Sequence, residues 1–254
     1  MNIIVAIKLV PDLVEELSID ADGTALDTTW MRLIINEFDD HAIEQGILLK
    51  ESNGGQVTVI APDAEGIDDM LFTAAAKGVD RVIKLTGNFG TTTNNHALGR
   101  ALAAVIDTMQ PDIVLTGVQA HNDLDGPTGP LLAEFIKRPY VGYVAGVKVD
   151  GGKAQIRKEY PGGLVADMEV TLPAVLGIQA AEKPPRYVPI SKVRQAMKTT
   201  TIEEQEIQEL TPEGGPTISR MFQPEAAERA TMIEGSEDEI ASRIVAILKE
   251  QGVI

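Results

Sequence analysis

The segment 113–132 carries the residues of this chain that are best suited to bind a ligand. A short apolar stretch, Ile113–Thr116, runs into Gly117-Val118-Gln119 and then into a glycine-rich turn from Asp123 to Gly129. Glycine permits close backbone approach, Pro127 suits the start of a helix, and the free N–H groups of a helix start attract phosphate. The segment therefore predicts a phosphate-binding turn that follows a strand.

Motifs of the common catalytic sites do not occur in the sequence. It has no G-x-S-x-G elbow, no G-x-x-x-x-G-K-[ST] loop and no H-E-x-x-H pair. The absence of cysteine excludes thiol catalysis, disulfides, iron–sulfur clusters and thiolate zinc sites. The histidines His41, His96 and His121 are scattered, and Asp39-Asp40 is interpreted as a complement to a helix dipole. We therefore expect no catalytic residues and no metal site.

Charge and hydropathy narrow the class of protein. The 254 residues include 22 Lys and Arg against 38 Asp and Glu, a net charge of −16. A negative charge of this size repels phosphate backbones and anionic lipids, which argues against binding to nucleic acids and to membrane surfaces. No apolar run reaches the roughly 18 residues of a membrane helix, so no membrane insertion is expected. The first residues lack the pattern of a signal peptide, and we expect a cytoplasmic protein.

The first half of the chain alternates short apolar runs with helical segments. Such alternation predicts βαβ units, which build an open, mostly parallel sheet with helices on both faces. Ligands bind such sheets at the carboxyl ends of strands where the strand order reverses, and we expect Ala6 and Asn36 to face that crevice. The predicted strands are Asn2–Ile7, Gln56–Ala61, Arg81–Leu85 and Ile113–Thr116, and the predicted helices are Phe38–Glu51, Ala64–Lys77 and Asn95–Gln110.

Two further regions have the turn residues of β-hairpins. An early insertion turns on Asp22-Gly23 between Leu17 and Leu26. A later meander, over 141–149, 153–160 and 164–172, extends the sheet with antiparallel strands in our interpretation. The expected fold is therefore a doubly wound, Rossmann-like α/β domain over residues 1–182.

Residues 183–254 are expected to form a long C-terminal arm. The prolines of Lys183–Pro189 exclude regular helix there. Ser236 and Glu239 have the spacing of a capping box, which predicts a helix over Ser236–Lys249. One face of that helix is apolar, and we predict that it holds a partner subunit; packing of the helix on the chain's own domain is the alternative. The face comprises Ile240, Ile244, Ile247 and Leu248.

Several ordered motifs resemble the beta subunit of electron transfer flavoprotein, the FixA family, over essentially the whole chain. The opening Val5–Asp12 resembles the family's "VKxVPD" start, and Gly117-Val118-Gln119-Ala120 resembles its "GxQA" motif. Further matches are Ile35–Asp39 with Ala42-Ile43-Glu44, Ala74–Arg81, Leu172–Val175 and Pro185-Arg186-Tyr187.

The resemblance implies an electron carrier rather than an enzyme. It implies a heterodimer with an alpha subunit that mainly holds the redox-active FAD, and an adenine-nucleotide-binding fold in the beta subunit itself. That nucleotide is AMP in non-bifurcating members and a second FAD in bifurcating ones; our interpretation favours AMP. A flavin dehydrogenase would be the electron donor and a quinone reductase or similar protein the acceptor. A stand-alone nucleotide-binding regulator of the universal-stress type remains the alternative.

By position, the resemblance also implies site residues. Phe38 corresponds to an aromatic residue near the alpha subunit's flavin, and Val188, Ile190 and Val193 to the segment that docks a dehydrogenase. The residues expected to line the nucleotide site are Ala6, Asn36, Ile60, Ala61, Gly117, Val118, Gln119, Asp123, Leu124, Asp125, Gly126, Pro127, Thr128 and Gly129.

The turn from Asp123 to Gly129 departs from the family's usual loop sequences. Pro127 lacks an amide donor, and Asp125 brings negative charge towards a phosphate. A carboxylate at this position can instead accept a ribose hydroxyl or cap a helix. The sequence leaves these alternatives open.

Overall fold

A computed structural model describes residues 1–90, 92–224 and 230–254. Thr91, in the predicted polar turn before the third helix, and residues 225–229 of the predicted arm lie outside these ranges. Contacts divide the chain into two compact units, Met1–Met221 and Phe222–Ile254. The first unit holds the sheet and both core clusters, and the described residues of the second contain one helix.

The first unit is built on a nine-stranded sheet and a small two-stranded ribbon. Its strands are β1 (Asn2–Ala6), β2 (Leu9–Pro11), β3 (Leu33–Ile35), β4 (Gln56–Pro62), β5 (Arg81–Thr86), β6 (Ile113–Gly117), β7 (Tyr140–Asp150), β8 (Lys153–Tyr160), β9 (Leu164–Thr171), β10 (Ala174–Ile178) and β11 (Ile202–Glu206). Its helices are α1 (Glu37–Asn53), α2 (Ile67–Lys77), α3 (Asn95–Ile106), α4 (Thr128–Phe135) and α5 (Ile190–Thr199), and the second unit holds α6 (Glu237–Glu250).

The strand order is β11-β5-β4-β1-β6-β10-β7-β8-β9, with β2 and β3 forming the separate antiparallel ribbon. All neighbours from β11 to β7 are parallel, and β8 and β9 add antiparallel pairs. From β1 the chain winds outwards through β4 and β5, and then returns to place β6 on the other side of β1. The strand order therefore reverses between β1 and β6, which is where doubly wound sheets bind ligands.

Both faces of the sheet are covered by helices, as its near-continuous apolar strands require. Alternate residues of β1 point to opposite faces: Ile3 and Val5 pack with α1 and α2, whereas Ile4 and Ala6 pack with α3 and α4. This confirms the predicted α/β class and the predicted meander of antiparallel strands.

Several elements differ from the sequence-based expectation. The third predicted helix ends at Ile106 and continues as a 3₁₀ turn, Asp107–Met109, and the early hairpin is reduced to a single bridge between Ile19 and Leu26. The sequence pattern does not predict the strand β10, which inserts between β6 and β7, so that β7 joins the sheet through a parallel partner.

The start of the predicted C-terminal arm belongs by contact to the first unit. Helix α5 packs against α2, and β11 extends the sheet beside β5, where Arg81 pairs with Glu203 at 2.7 Å. The domain boundary after residue 182 stays a prediction. The capping-box prediction is confirmed, since the Ser236 N–H donates to the Glu239 carboxylate at 2.8 Å at the start of α6.

Candidate functional site

A narrow crevice of about 20 Å³ lies at the carboxyl ends of β1 and β6. The order reversal of the sheet opens it, and the first turns of α1 and α4 and one side of α3 close it. Its lining combines strand ends with polar side chains from these turns: Ala6, Ile7, Lys8, Asn36, Asp39, Leu98, Leu102, Thr116, Gly117, Gln119, Ala120, Asp123 and Thr128.

Asp39 joins the two central strands at the bottom of this crevice. Its carboxylate accepts hydrogen bonds from the N–H of Lys8, just after β1, at 2.8 Å and from the N–H of Gly117, at the end of β6, at 2.9 Å. Burial raises the pKa of Asp39 to about 6, against the opposing effect of these donors and of the Lys8 charge. Beside it, the Asn36 amide donates to the Gln119 carbonyl at 2.9 Å.

Lys8 and Asp123 form an ion pair across the mouth of the crevice. Their Nζ and Oδ1 atoms are 2.5 Å apart, and both side chains are largely buried. Asp123 also accepts from the Asn95 side chain at 2.7 Å, and Asn95 in turn donates to the Gly126 carbonyl at 2.8 Å and accepts from the Thr128 hydroxyl at 3.0 Å. Asn95, on α3, thus fixes the turn that precedes α4.

Asp125 from the same turn caps α3. Its carboxylate accepts from the N–H groups of Asn95 and His96 at 3.0 and 3.1 Å and contacts the His96 Nδ1 at 2.7 Å. Burial of Asp125 opposes ionisation, but the bond to the His96 side chain and the backbone donors outweigh it and lower the pKa of this carboxyl. Of the two roles that the sequence left open for Asp125, the structure therefore shows the helix cap.

Two larger cavities adjoin the crevice and share Lys8, Asn95 and Leu124 among their walls. One, of about 650 Å³, has mainly apolar walls from the β2–β3 ribbon, the early insertion, Phe89 and Ile218. The other, of about 440 Å³, has both polar and apolar walls, with residues from 92–95, 122, 124–125 and 216–221. Together they offer an apolar region and an amide-rich region next to the ends of the parallel strands.

The structure brings together six of the predicted nucleotide-site residues in the crevice: Ala6, Asn36, Gly117, Gln119, Asp123 and Thr128. Leu124 and Asp125 line the adjoining cavities, and Gly126, Pro127 and Gly129 shape the turn and the start of α4. Ile60, Ala61 and Val118 are buried in the core, and Phe38 is half-buried in the first turn of α1. Ligand contact by any of these residues stays a prediction.

The predicted docking residues lie at the start of α5. Ile190, the first residue of this helix, is 68% exposed, whereas Val188 and Val193 are half-buried. The segment before them is held by α1: the Arg186 guanidinium pairs with the buried Glu44 at 2.8 Å, and the His41 Nδ1 accepts from the Ala181 N–H at 3.2 Å. Their docking role stays a prediction.

Sequence reasoning missed the network that organises this site. The sequence indicates only a dipole complement for Asp39 and no role for His96, whereas both side chains are hydrogen-bonded within the site. Lys8 was noted only within a motif, although a charged residue directly after a buried strand end is a local signal. Asn95 had no such signal, because its partners are about 30 residues away or more.

The donors of the crevice do not fit a nucleotide phosphate. The volume of about 20 Å³ is suited to one water molecule, and its Lys8 is neutralised by Asp123. The buried Thr116 hydroxyl has no hydrogen-bond partner within the described residues, but Asp39 and Asp123 place negative charge beside it. The adjoining cavities, by contrast, fit the adenine and ribose of such a ligand in both size and polarity.

The described residues contain neither a metal-binding cluster nor a membrane-spanning helix. No cluster of three or more His, Cys, Asp or Glu residues there could hold a metal ion. None of the helices in those ranges is long and apolar enough to cross a membrane.

Comparison with known proteins gives consistent matches. The family described as "Electron transfer flavoprotein domain" matches residues 27–210. The chain is 33% identical to the electron transfer flavoprotein subunit beta of Methylophilus methylotrophus, with 98% of each chain covered. It is 30% identical to subunit CarD of the caffeyl-CoA reductase-Etf complex of Acetobacterium woodii over the full length of both. It is 29% identical to protein FixA of Azorhizobium caulinodans, with 99% of this chain and 95% of the relative covered.

Proposed function

Because the chain belongs to the electron transfer flavoprotein beta-subunit family, we propose that it is the beta subunit of a heterodimer that carries electrons from a flavin dehydrogenase to an acceptor such as a quinone reductase. The observation that carries this proposal is the match, over nearly the whole length of both chains, to relatives named as subunits of an electron transfer flavoprotein or of an Etf complex. On this proposal the chain is an electron carrier and not an enzyme with a substrate of its own. Its cytoplasmic location stays a prediction.

The proposed partner is an alpha subunit that mainly holds the redox-active FAD. Helix α6 supports an interface, because Ile244 and Ile247 are 45% and 38% exposed on its apolar face, while Ile240 and Leu248 are half-buried. Full burial of an exposed side chain of this kind contributes roughly 1.5–3 kcal/mol, and because these four are already partly covered, burying the remainder contributes less than that per side chain, before the entropy cost of ordering is subtracted. A protein surface with apolar side chains is the natural counterpart of this face.

We further propose that an adenine nucleotide binds beside the crevice, with its adenosine part in the two adjoining cavities. Their apolar walls suit a base, and the exposed Asn122 amide, which lines both cavities, suits a ribose hydroxyl. AMP is favoured over a second FAD, since the sequence shows no provision for a second flavin ring.

Co-expression with an alpha subunit tests the main proposal. Affinity purification through a tag on this chain should yield a 1:1 complex with the yellow absorbance of FAD, and the same chain expressed alone should be colourless. A colourless, stable homodimer that binds ATP and ignores the alpha subunit would overturn the proposal in favour of a regulator of the universal-stress type.

The identity of the nucleotide can be tested by denaturing that complex and counting the AMP and FAD molecules released per heterodimer. One FAD and one AMP per heterodimer would support AMP in this subunit. Two FAD per heterodimer and no AMP would overturn AMP as the nucleotide of this subunit.

A further inference from the structure

A segment with neither helix nor strand, residues 211–221, lies across the candidate site, and we call it the strap. Its start is fixed to α3 by two side chains of that helix and its cap. The Arg100 guanidinium donates to the Thr211 carbonyl at 2.7 Å. The Asn94 amide donates to the Pro212 carbonyl at 3.0 Å. The strap therefore begins at a point that the folded domain holds firmly.

The far end of the strap is fixed to the early insertion. The Met221 N–H donates to the Gly23 carbonyl at 2.6 Å, in the turn of that insertion. Between the two ends, residues 216–221 form one continuous wall of the cavity of about 440 Å³. Ile218 and Met221 also line the cavity of about 650 Å³. The strap is thus a wall that the two cavities share.

Two consecutive glycines separate the fixed start of the strap from this wall. Gly214 has a φ of +88°, and a Cβ atom at Gly215 would meet the Asn94 Nδ2 at 2.5 Å. Glycine rotates about its backbone bonds at little cost, as a hinge requires. Most residues of the strap are exposed, and exposed segments without regular structure open at low free energy. The glycine pair is therefore placed to let the wall turn outwards.

We propose that the strap is a gate for the nucleotide: it closes over an adenine nucleotide in the two cavities, and the nucleotide enters and leaves when the Met221 end detaches from Gly23 and the strap turns about Gly214-Gly215. This inference rests on the proposed nucleotide site. It assigns to the early insertion a function in retaining the ligand, because the insertion provides the latch.

A gate and a simple wall differ in their binding kinetics. A gate that is closed in both the free and the bound protein limits entry and exit alike. Weakening it therefore raises the association and release rates together and changes the dissociation constant little. Weakening a wall that only contacts the ligand raises the release rate and the dissociation constant in proportion, at an unchanged association rate.

Gly23→Ala should weaken the latch, because Gly23 has a φ of +69°, which alanine adopts only with strain. The strain is relieved when the peptide turns, which takes the Gly23 carbonyl away from the Met221 N–H. We expect association and release of isotope-labelled AMP by the full chain, measured by rapid filtration, both to accelerate by about tenfold. The dissociation constant should change by less than about threefold.

Gly54→Ala is the matched control. Gly54 has a φ of +71°, and a Cβ atom there, as at Gly23, would meet nothing within 4 Å. It lies between α1 and the start of β4, at the other end of the strands from the cavities. Its substitution should leave both rates as in the wild type.

Gly215→Ala is a second, independent variant, because its methyl group would push the strap away from Asn94 and so raise both rates. Equal rates in Gly23→Ala and Gly54→Ala, or faster release at an unchanged association rate, would overturn the gate alone, since AMP binding itself is retained. Failure of the wild type and the variants to bind AMP would overturn the proposed nucleotide site and the gate with it.

Discussion

Asp39→Asn should change the pH dependence of stability in a way that reports on the buried carboxylate of the crevice. An acid whose folded-state pKa is raised binds its proton more tightly in the native state than in the unfolded chain. It therefore stabilises the fold at pH values below its unfolded pKa, and this contribution is lost as the pH rises through the folded value. For Asp39 the pKa rises from 3.8 to about 6, mainly through burial, which corresponds to about 3 kcal/mol.

The substitution also changes two hydrogen bonds. The Lys8 and Gly117 N–H groups each donate to a different oxygen of Asp39, so the amide nitrogen of an asparagine would face one of these donors. One unsatisfied buried donor costs about 1–3 kcal/mol. Near pH 4 the variant should therefore be less stable than the wild type, and by about pH 7.5 the gap should close or reverse, because the wild type then carries the cost of a buried charge.

Urea unfolding of both proteins between about pH 4 and about pH 7.5 measures this difference directly. Subtracting one free energy of unfolding from the other removes the contributions of groups that titrate alike in the two proteins. Asp80→Asn serves as control: Asp80 also accepts a backbone N–H, that of Val57 at 2.8 Å, but its side chain is 32% exposed. The difference in stability between Asp39→Asn and the wild type could instead stay constant with pH, or increasingly favour the wild type as the pH rises. Either result would refute the reasoning that burial is the main cause of the raised Asp39 pKa.

Two further predictions concern the second half of the chain. Glu44→Gln should lower the free energy of unfolding by about 1–3 kcal/mol and speed tryptic cleavage at Arg186, because it removes a buried carboxylate that this guanidinium pairs with. Glu51 also pairs with Arg186, but its side chain is 53% exposed, so Glu51→Gln should lower the free energy of unfolding by less than about 1 kcal/mol. Equal losses of stability in the two variants would contradict the view that burial of Glu44 makes its ion pair the stronger one. Deletion of residues 235–254 should leave circular dichroism of the sheet intact while abolishing co-purification with the alpha subunit; retained tight association, or loss of folding, would count against α6 as the clamp.

The sequence indicated the alternating half of the fold because its signals are local. A central parallel strand must be apolar on both faces, and β1, β4, β5 and β6 are short apolar runs separated by helices of ordinary length. The same pattern identified the crevice, since strands that end in Ala6 and Gly117 must lie close together at a reversal of strand order.

The strands β10 and β11, which the sequence does not predict, depend on contacts with distant parts of the chain. β10 is a five-residue buried run, but nothing in it reveals that it inserts between β6 and β7. β11 is mostly acidic, and it forms a strand because β5 offers a free edge and Arg81 a countercharge. Propensity cannot predict such a strand, because its stabilising contacts lie more than a hundred residues away.

By itself, the sequence determined the fold class, the helix caps formed by near neighbours, and the region of the chain that holds the candidate site. Only the tertiary structure decided which polar groups in that region meet: Asp125 caps a helix that begins 30 residues earlier, Asp123 pairs with Lys8, and Asp39 bridges β1 and β6. The physical reason is that a capping box is closed within one turn of chain, whereas the partner of a buried charge is set by which strand ends and helix starts the folded sheet brings together.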